Sequence, residues 1–321
     1  MLKTGLTDLL GIEHPVLLAP MAGVSGAELA ASVSAAGGLG LLGGGYCDSA
    51  WIRQELDALR GKRFGFGAIT WALDQDPNVL DIALSYGPEA VFLSFGDIAP
   101  YAGKVRDAGV KLIAQVQTVD GAKYAADQGA DIIVAQGTEA GGHGGARATL
   151  PLVAAVVDAV PDRPVVAAGG IADGRGLAAA LMLGAQGVLV GTAFCAAEES
   201  LAKPGAKKIM ETASGDRTIR STVFDIARDK DWPKDWNLRT LRNDFTDRWH
   251  DDPAAMLPDV DTIRAAYTSA MDKGEFNEAA IIVGEAIDLV HAVEPAADIL
   301  QRIVRQAEDR LAGALTFLRT P

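Results

Sequence analysis

A (β/α)8 barrel of parallel strands is the fold class that the sequence predicts, and three observations predict it. From residue 15 to about 194, short apolar runs alternate with longer amphipathic or alanine-rich segments. Eight such runs occur at near-uniform spacing, each apolar on both faces, as strands covered on both sides must be. The chain has 36 glycines in 321 residues, more than the usual proportion of about 7%, and many fall after those runs, where strands hand over to helices. A doubly wound open sheet is the alternative, because periodicity does not reveal strand order.

The elements follow in order. "PVLLAPM" (15–21) precedes the helical pattern "GAELAASVSAAGG", and "LGLLGGG" (39–45) precedes "SAWIRQELDALRG". "FGFGAIT" (64–70), "AVFLSFG" (90–96) and "KLIAQV" (111–116) each lead into a helical segment in the same way. "DIIVAQG" (131–137) passes through the loop "GTEAGGHGG" (137–145) to "LPLVAAVVDAV", "PVVAAGG" (164–170) leads to "DGRGLAAALMLG", and "GVLVGTAF" (187–194) comes last. Successive strand–helix units with short connections make a parallel sheet, and eight of them close into a barrel. Residues 1–200 are therefore assigned to the barrel. Residues 201–260 are charged, hold tryptophans and read as irregular, a candidate lid over 213–240. Residues 261–321 read as helices completing the same domain, with Ile299, Leu300, Ile303, Val304, Ala307 and Leu311 spaced along one helix face.

Composition narrows the function. The net charge of −13, from 29 basic and 42 acidic side chains, repels nucleic acid and anionic membranes, so neither is an expected partner. Cys47 and Cys195 form no metal-ligand cluster or disulfide framework, which fits a reducing compartment. No apolar run is long enough to span a bilayer, and the amino-terminal stretch has no basic segment followed by a long apolar core, so a cytoplasmic location is expected.

In a parallel barrel, ligands sit at the carboxyl ends of the strands, and the last two strand–helix loops commonly bind phosphate. Those loops read "AAGGIADGRG" and "LVGTAF", which makes Gly169, Gly170, Gly191 and Thr192 candidate phosphate ligands; a helix starting near Asp173 would add its positive end. No GxxxxGK[ST] run occurs, and no GxGxxG follows the first strand, so P-loop and Rossmann nucleotide sites lack support. FMN, with one phosphate and a ring needing backbone and amide contacts, fits what remains. The backbone around Pro20, Met21 and Ala22 lies at the end of the first strand, where it can line a flat ring; for the Met21 side chain, core filling is an equal reading. Gln115 and Gln136 sit near strand ends, and a glutamine amide can both donate to and accept from a flavin edge. Burial of Gln136 requires a ligand or backbone partner. His143 projects from the glycine-rich loop into the expected mouth, where an imidazole can exchange a proton at neutral pH. His14, His250 and His291 read as surface or packing residues. No second ligand lies at metal spacing beside His143, and Glu139 serves equally well to orient loop backbone.

The set "APMAG", "AQGTEAGGHGG", "AAGGIADGRGLAAALMLGAQGVLVGTAF" and "STVFD…DWP" resembles the nitronate monooxygenase (2-nitropropane dioxygenase) family along most of the chain. The resemblance implies an FMN-dependent barrel that oxidises alkyl nitronates with molecular oxygen to carbonyl compounds and nitrite. It places the active-site histidine at His143, the flavin-contacting amide at Gln136, and loop backbone close to the flavin at Gly141 and Gly142. It places phosphate turns at Gly170 and at Leu189, Val190, Gly191 and Thr192. Gly67 stands about where many members carry a flavin-contacting asparagine. The wider family includes FMN-dependent NAD(P)H reductases of quinones and enoyl thioesters, which is the alternative function. The expected partners are a small-molecule substrate and oxygen, or NAD(P)H. A non-flavin phosphate-binding barrel is a third possibility, weakened by the near absence of lysines or paired carboxylates at the strand ends.

Overall fold

The computed structural model describes residues 2–317. Eight parallel strands stand where the apolar runs predict them: β1 (Val16–Leu18), β2 (Leu41–Gly43), β3 (Gly65–Ile69), β4 (Ala90–Ser94), β5 (Lys111–Val116), β6 (Ile132–Gln136), β8 (Val165–Ala168) and β9 (Gly187–Val190). Their order, β1-β9-β8-β6-β5-β4-β3-β2, excludes the open doubly wound sheet. Closure comes from a parallel bridge between Leu17 and Leu39, where Leu18 N–H donates to the Leu39 carbonyl at 3.0 Å and Leu39 N–H to that of Val16 at 3.1 Å.

Apolarity on both strand faces follows from two cores. Leu17, Leu41, Phe92, Ile113, Ile132, Val134, Val166 and Leu189 fill the barrel interior. The alternate residues, such as Val16, Leu18, Val91, Ile133, Val188 and Val190, pack into the helix layer. A helix over Gly5–Leu10, held by a capping box between Thr4 and Thr7, packs Leu6 and Leu10 against the interior core. Among the described residues, no helix is long and apolar enough to cross a membrane.

The segment that composition marks as irregular folds into a cap. β10 (Thr218–Ser221) and β11 (Asn237–Leu241) pair antiparallel, and β11 also pairs with β7 (Gly142–Gly144) from the glycine-rich loop. The loop is therefore partly a strand. Helices over Val223–Ala227, Asp244–Trp249 and Val260–Lys273 add Phe224, Phe245 and Tyr267, which with Leu238 and Met256 form a separate apolar core.

The tail departs from its reading in two respects. The helix Val260–Lys273 contacts the cap helix Val223–Ala227, so it builds the cap, not the barrel wall. Residues 280–284 form no helix, because their backbone groups find tertiary partners: Ile281 C=O accepts from Leu241 N–H at 2.9 Å, and Gly284 N–H donates to the Thr192 hydroxyl at 2.9 Å. The helix Ala296–Gly313 buries Ile299, Leu300, Ile303, Val304 and Ala307 as its stripe requires. Leu311 is only half-buried. This helix lies against Gly174–Met182 and Ala27–Ala35.

Candidate active site

A cavity opens at the carboxyl ends of the strands and encloses about 1210 Å³ of space, its open mouth included. The β1 end contributes Pro20, Met21 and Ala22, β3 contributes Gly67, and β5 and β6 contribute Gln115 and Gln136. Gly141, Gly142 and His143 come from the loop after β6, Gly169 and Gly170 from that after β8, and Leu189, Gly191 and Thr192 from β9 and its loop. Val190 is not in the wall, because strand alternation turns its side chain into the helix layer. His14, His250 and His291 lie elsewhere.

The glycines owe their identity to different causes. A Cβ on Gly141 would lie 2.4 Å from the Val283 carbonyl carbon, so this glycine admits the extended tail segment, not only a ligand. A Cβ on Gly67 would meet Pro20 at 2.2 Å; the room that a larger residue would need is filled by that proline. Gly170 has φ +70°, a left-handed conformation that disfavours any side chain. Its N–H has no hydrogen-bond partner among the described residues. Thr192 opens a short helix, so its N–H has no intrahelical acceptor. Its hydroxyl already accepts from Gly284 N–H, which leaves the hydroxyl hydrogen to donate into the cavity. The helix end near Asp173 offers less than its position suggests. The Asp173 carboxylate accepts from the N–H groups of Arg175 and Gly176 at 2.9 and 3.3 Å, so an internal anion already occupies it.

His143 sits on β7, paired with Leu238 of β11, and is buried. Its Nε2 lies 3.0 Å from each carboxylate oxygen of Asp225, which is also buried. Trp232 stacks on the imidazole, with centroids 3.4 Å apart and planes 8° from parallel. Phe95 meets Trp232 and Trp236 edge to face at 5.2 and 5.4 Å, held there by a positive φ of 61°, backbone strain of the kind that collects at sites. Burial pushes the imidazole pKa below its ordinary 6.5, and Arg228 and Arg220 push the same way, outweighing the opposing pull of Asp225. The ring is therefore neutral at pH 7.

A relay of amides fixes the loop. Trp236 Nε1–H donates to Gln117 Oε1 at 3.1 Å, Gln117 Nε2–H to Gln136 Oε1 at 2.9 Å, and Gln136 Nε2–H to the His143 carbonyl at 3.1 Å. Gln136 thus has the backbone partner its burial demands, and its amide keeps one hydrogen and further acceptor capacity. Glu139 accepts from the N–H and hydroxyl of Thr149, so it orients the loop. Tyr46 accepts from Trp232 Nε1–H at 2.9 Å and Arg228 Nη2–H at 3.2 Å, leaving its own hydroxyl hydrogen to donate elsewhere. Cys195 also lines the cavity, 3.3 Å from Met21 Sδ; burial pushes its thiol up to about 12, which keeps it protonated and poorly nucleophilic. Among the described residues no cluster suits a metal ion.

Asp225, Arg228, Trp232, Tyr46 and Phe95 are site residues that the reading by motif did not single out. The available signal was one acidic residue inside the apolar run "VFDIA", followed by a tryptophan.

The sequence matches the family model for nitronate monooxygenase over residues 3–65 and 67–306. It is 34% identical to the nitronate monooxygenase of Pseudomonas aeruginosa, with 94% of this chain and 98% of that protein covered. It is 39% identical over 209 residues to the (3aS,4S,5R,7aS)-5-hydroxy-7a-methyl-1-oxo-octahydro-1H-indene-4-carboxyl-CoA dehydrogenase of Rhodococcus jostii. That match covers 64% of this chain and only 59% of the relative. Among solved structures, FabK from Thermotoga maritima superposes with a TM-score of 0.87 at 29% identity, over 99% of this chain and 100% of the other. Matched over nearly its whole length, the chain belongs to the nitronate monooxygenase family of oxidoreductases.

Proposed function

We propose that the cavity holds FMN and that the protein oxidises alkyl nitronates with molecular oxygen, yielding a carbonyl compound and nitrite. The observation that carries this reading is a buried imidazole, paired with Asp225, on the wall of a cavity that also presents unpaired backbone N–H groups. The donors fit the cofactor. The N–H groups of Gly170 and Thr192 and the Thr192 hydroxyl suit its phosphate, beside Gly169 and Gly191. The spare amide capacity of Gln136, with Gln115, suits the polar edge of its ring, while Pro20, Met21 and Ala22 line its apolar face. When bound, FMN supplies the two-electron chemistry between nitronate and oxygen. The protein binds the substrate beside His143 and shields it with Trp232 and Phe95. For a neutral nitroalkane, the imidazole takes the α-proton. The alternative, an FMN-dependent NAD(P)H reductase of a quinone or enoyl thioester, uses the same cofactor residues; the name of the Rhodococcus relative shares with it only a CoA thioester as substrate.

Gly191→Ala tests the phosphate placement. Gly191 has φ −110°, and its nearest neighbours to a Cβ, Ala19 Cβ and Met21 Sδ, stand 3.5 Å away, so the fold accepts the methyl. The expected result is an apoprotein of unchanged Tm with FMN affinity lowered about tenfold, equivalent to about 1.4 kcal/mol. Unchanged affinity would remove Gly191 from the phosphate site. Gly170→Val should also weaken FMN binding, but its left-handed backbone makes that variant a poorer test. For the function, oxygen uptake and nitrite release with propionate 3-nitronate in air should be stoichiometric and independent of nicotinamide; nitrite formation that requires NADH or NADPH would count against it.

A further inference from the structure

The two ring nitrogens of His143 are not equivalent. An ionised carboxylate only accepts hydrogen bonds, and both Asp225 oxygens lie 3.0 Å from Nε2, so Nε2 carries the hydrogen. Nδ1 has no partner among the described residues, and the side chain lines the cavity. The charged groups around the ring are Asp225, Arg228, whose Nη1 is 4.0 Å from Asp225 Oδ1, and Arg220 on β10. Both arginines, together with burial, oppose a second proton on the resting imidazole.

We propose that Asp225 is the positioning residue that fixes His143 as the Nε2–H tautomer, which makes Nδ1 the atom that accepts the substrate's proton. This rests on the nitronate reading for the identity of that substrate, a neutral nitroalkane. The α-C–H bond breaks, its electron pair becomes the C=N bond of the nitronate with the charge on the nitro oxygens, and the proton goes to Nδ1. The carboxylate then faces an imidazolium and stabilises it. The histidine arrives on the loop after β6, whereas Asp225 arrives on the cap helix Val223–Ala227, held by Val223, Phe224 and Ala227 in the cap core. The base is therefore assembled only when the cap is seated on the barrel.

The test is the nitrogen NMR spectrum of holoenzyme labelled with ¹⁵N-histidine, with the His143 signals assigned by their loss in His143→Gln. In the unsubstituted protein at pH 7–8, Nε2 is expected protonated and Nδ1 unprotonated. Asp225→Leu is expected to shift both signals towards an average of the two tautomers. Its turnover of nitroethane should fall by about 10-fold to 100-fold relative to that of ethyl nitronate, with Asp225→Glu recovering part of that ratio. An unsubstituted spectrum with both nitrogens protonated, or with hydrogen on Nδ1, would overturn the proposal even if Asp225→Leu does not fold. So would an equal loss on both substrates, which is what a purely structural carboxylate gives. If nitronates fail to reduce the flavin, the substrate named here falls with the functional reading, and the spectrum alone still decides the tautomer.

Discussion

His143→Ala is expected to keep its flavin and lose about 10²-fold to 10⁴-fold in kcat with a neutral nitroalkane, the usual contribution of a positioned acid–base group. In the proposed placement the FMN phosphate lies on the backbone turns after β8 and β9, which His143 does not form, so an FMN:protein ratio near that of the unsubstituted enzyme is part of the expectation. The loss should be smaller for a preformed nitronate, which has no α-proton to surrender. The pH dependence follows from the sign of the shift. Burial holds the imidazole pKa below 6.5, so the base is free at pH 7, and kcat/KM for nitroethane should fall only on acidification below 6.5. For the same reason this histidine favours folding above its unfolded pKa, a contribution lost as pH falls through the folded one. Undiminished nitroethane turnover in His143→Ala would make the residue structural.

Arg220→Met should cost about 3 kcal/mol of stability, lowering Tm by about 5 °C, and should loosen FMN. Arg220 ties the glycine-rich loop to the cap. Its Nη2–H donates to the carbonyls of Thr138 and Ala140 at 2.9 and 3.2 Å, and its Nη1–H to that of Asn237 at 2.5 Å. Burial, with Arg239 adjacent, brings its pKa down to about 10, so it stays charged at neutral pH. Methionine fills the same volume but removes these donors; Thr138 keeps only the bond from Arg239 Nε–H at 3.1 Å, and Ala140 loses its bond from the guanidinium. Arg220→Lys should rescue only part of the loss, because an ammonium cannot reproduce the planar fork. Thermal unfolding followed by flavin fluorescence reads both effects; an unchanged midpoint would show that the loop is held without the guanidinium.

The barrel was legible because each strand is apolar on both faces and ends at a glycine or turn, a local signal repeated eight times. The mouth was legible for the same reason: Gly169, Gly170, Gly191 and Thr192 follow their strands directly. The chemistry of the site was legible only in part. His143 stands out by its glycine neighbours, yet Asp225 lies 82 residues away in a charged segment, and no local period links them. The cap strands escaped because β10 and β11 carry arginines, and because β11 pairs with a loop whose glycines suggest a turn. Residues 277–293 look helical by their apolar spacing, but Gly284 and the tertiary hydrogen bond of Ile281 hold residues 280–284 out of a helix. Gly141 gave a true signal of close approach, while its partner, the Val283–Gly284 backbone, lies still farther away in sequence.

The most direct measurement is anaerobic mixing of the FMN-loaded protein with propionate 3-nitronate in one cuvette and with NADH or NADPH in another, followed by flavin absorbance. Rapid bleaching by the nitronate, with none by either nicotinamide, is the expected result. Bleaching by NADH or NADPH but not by the nitronate would contradict it.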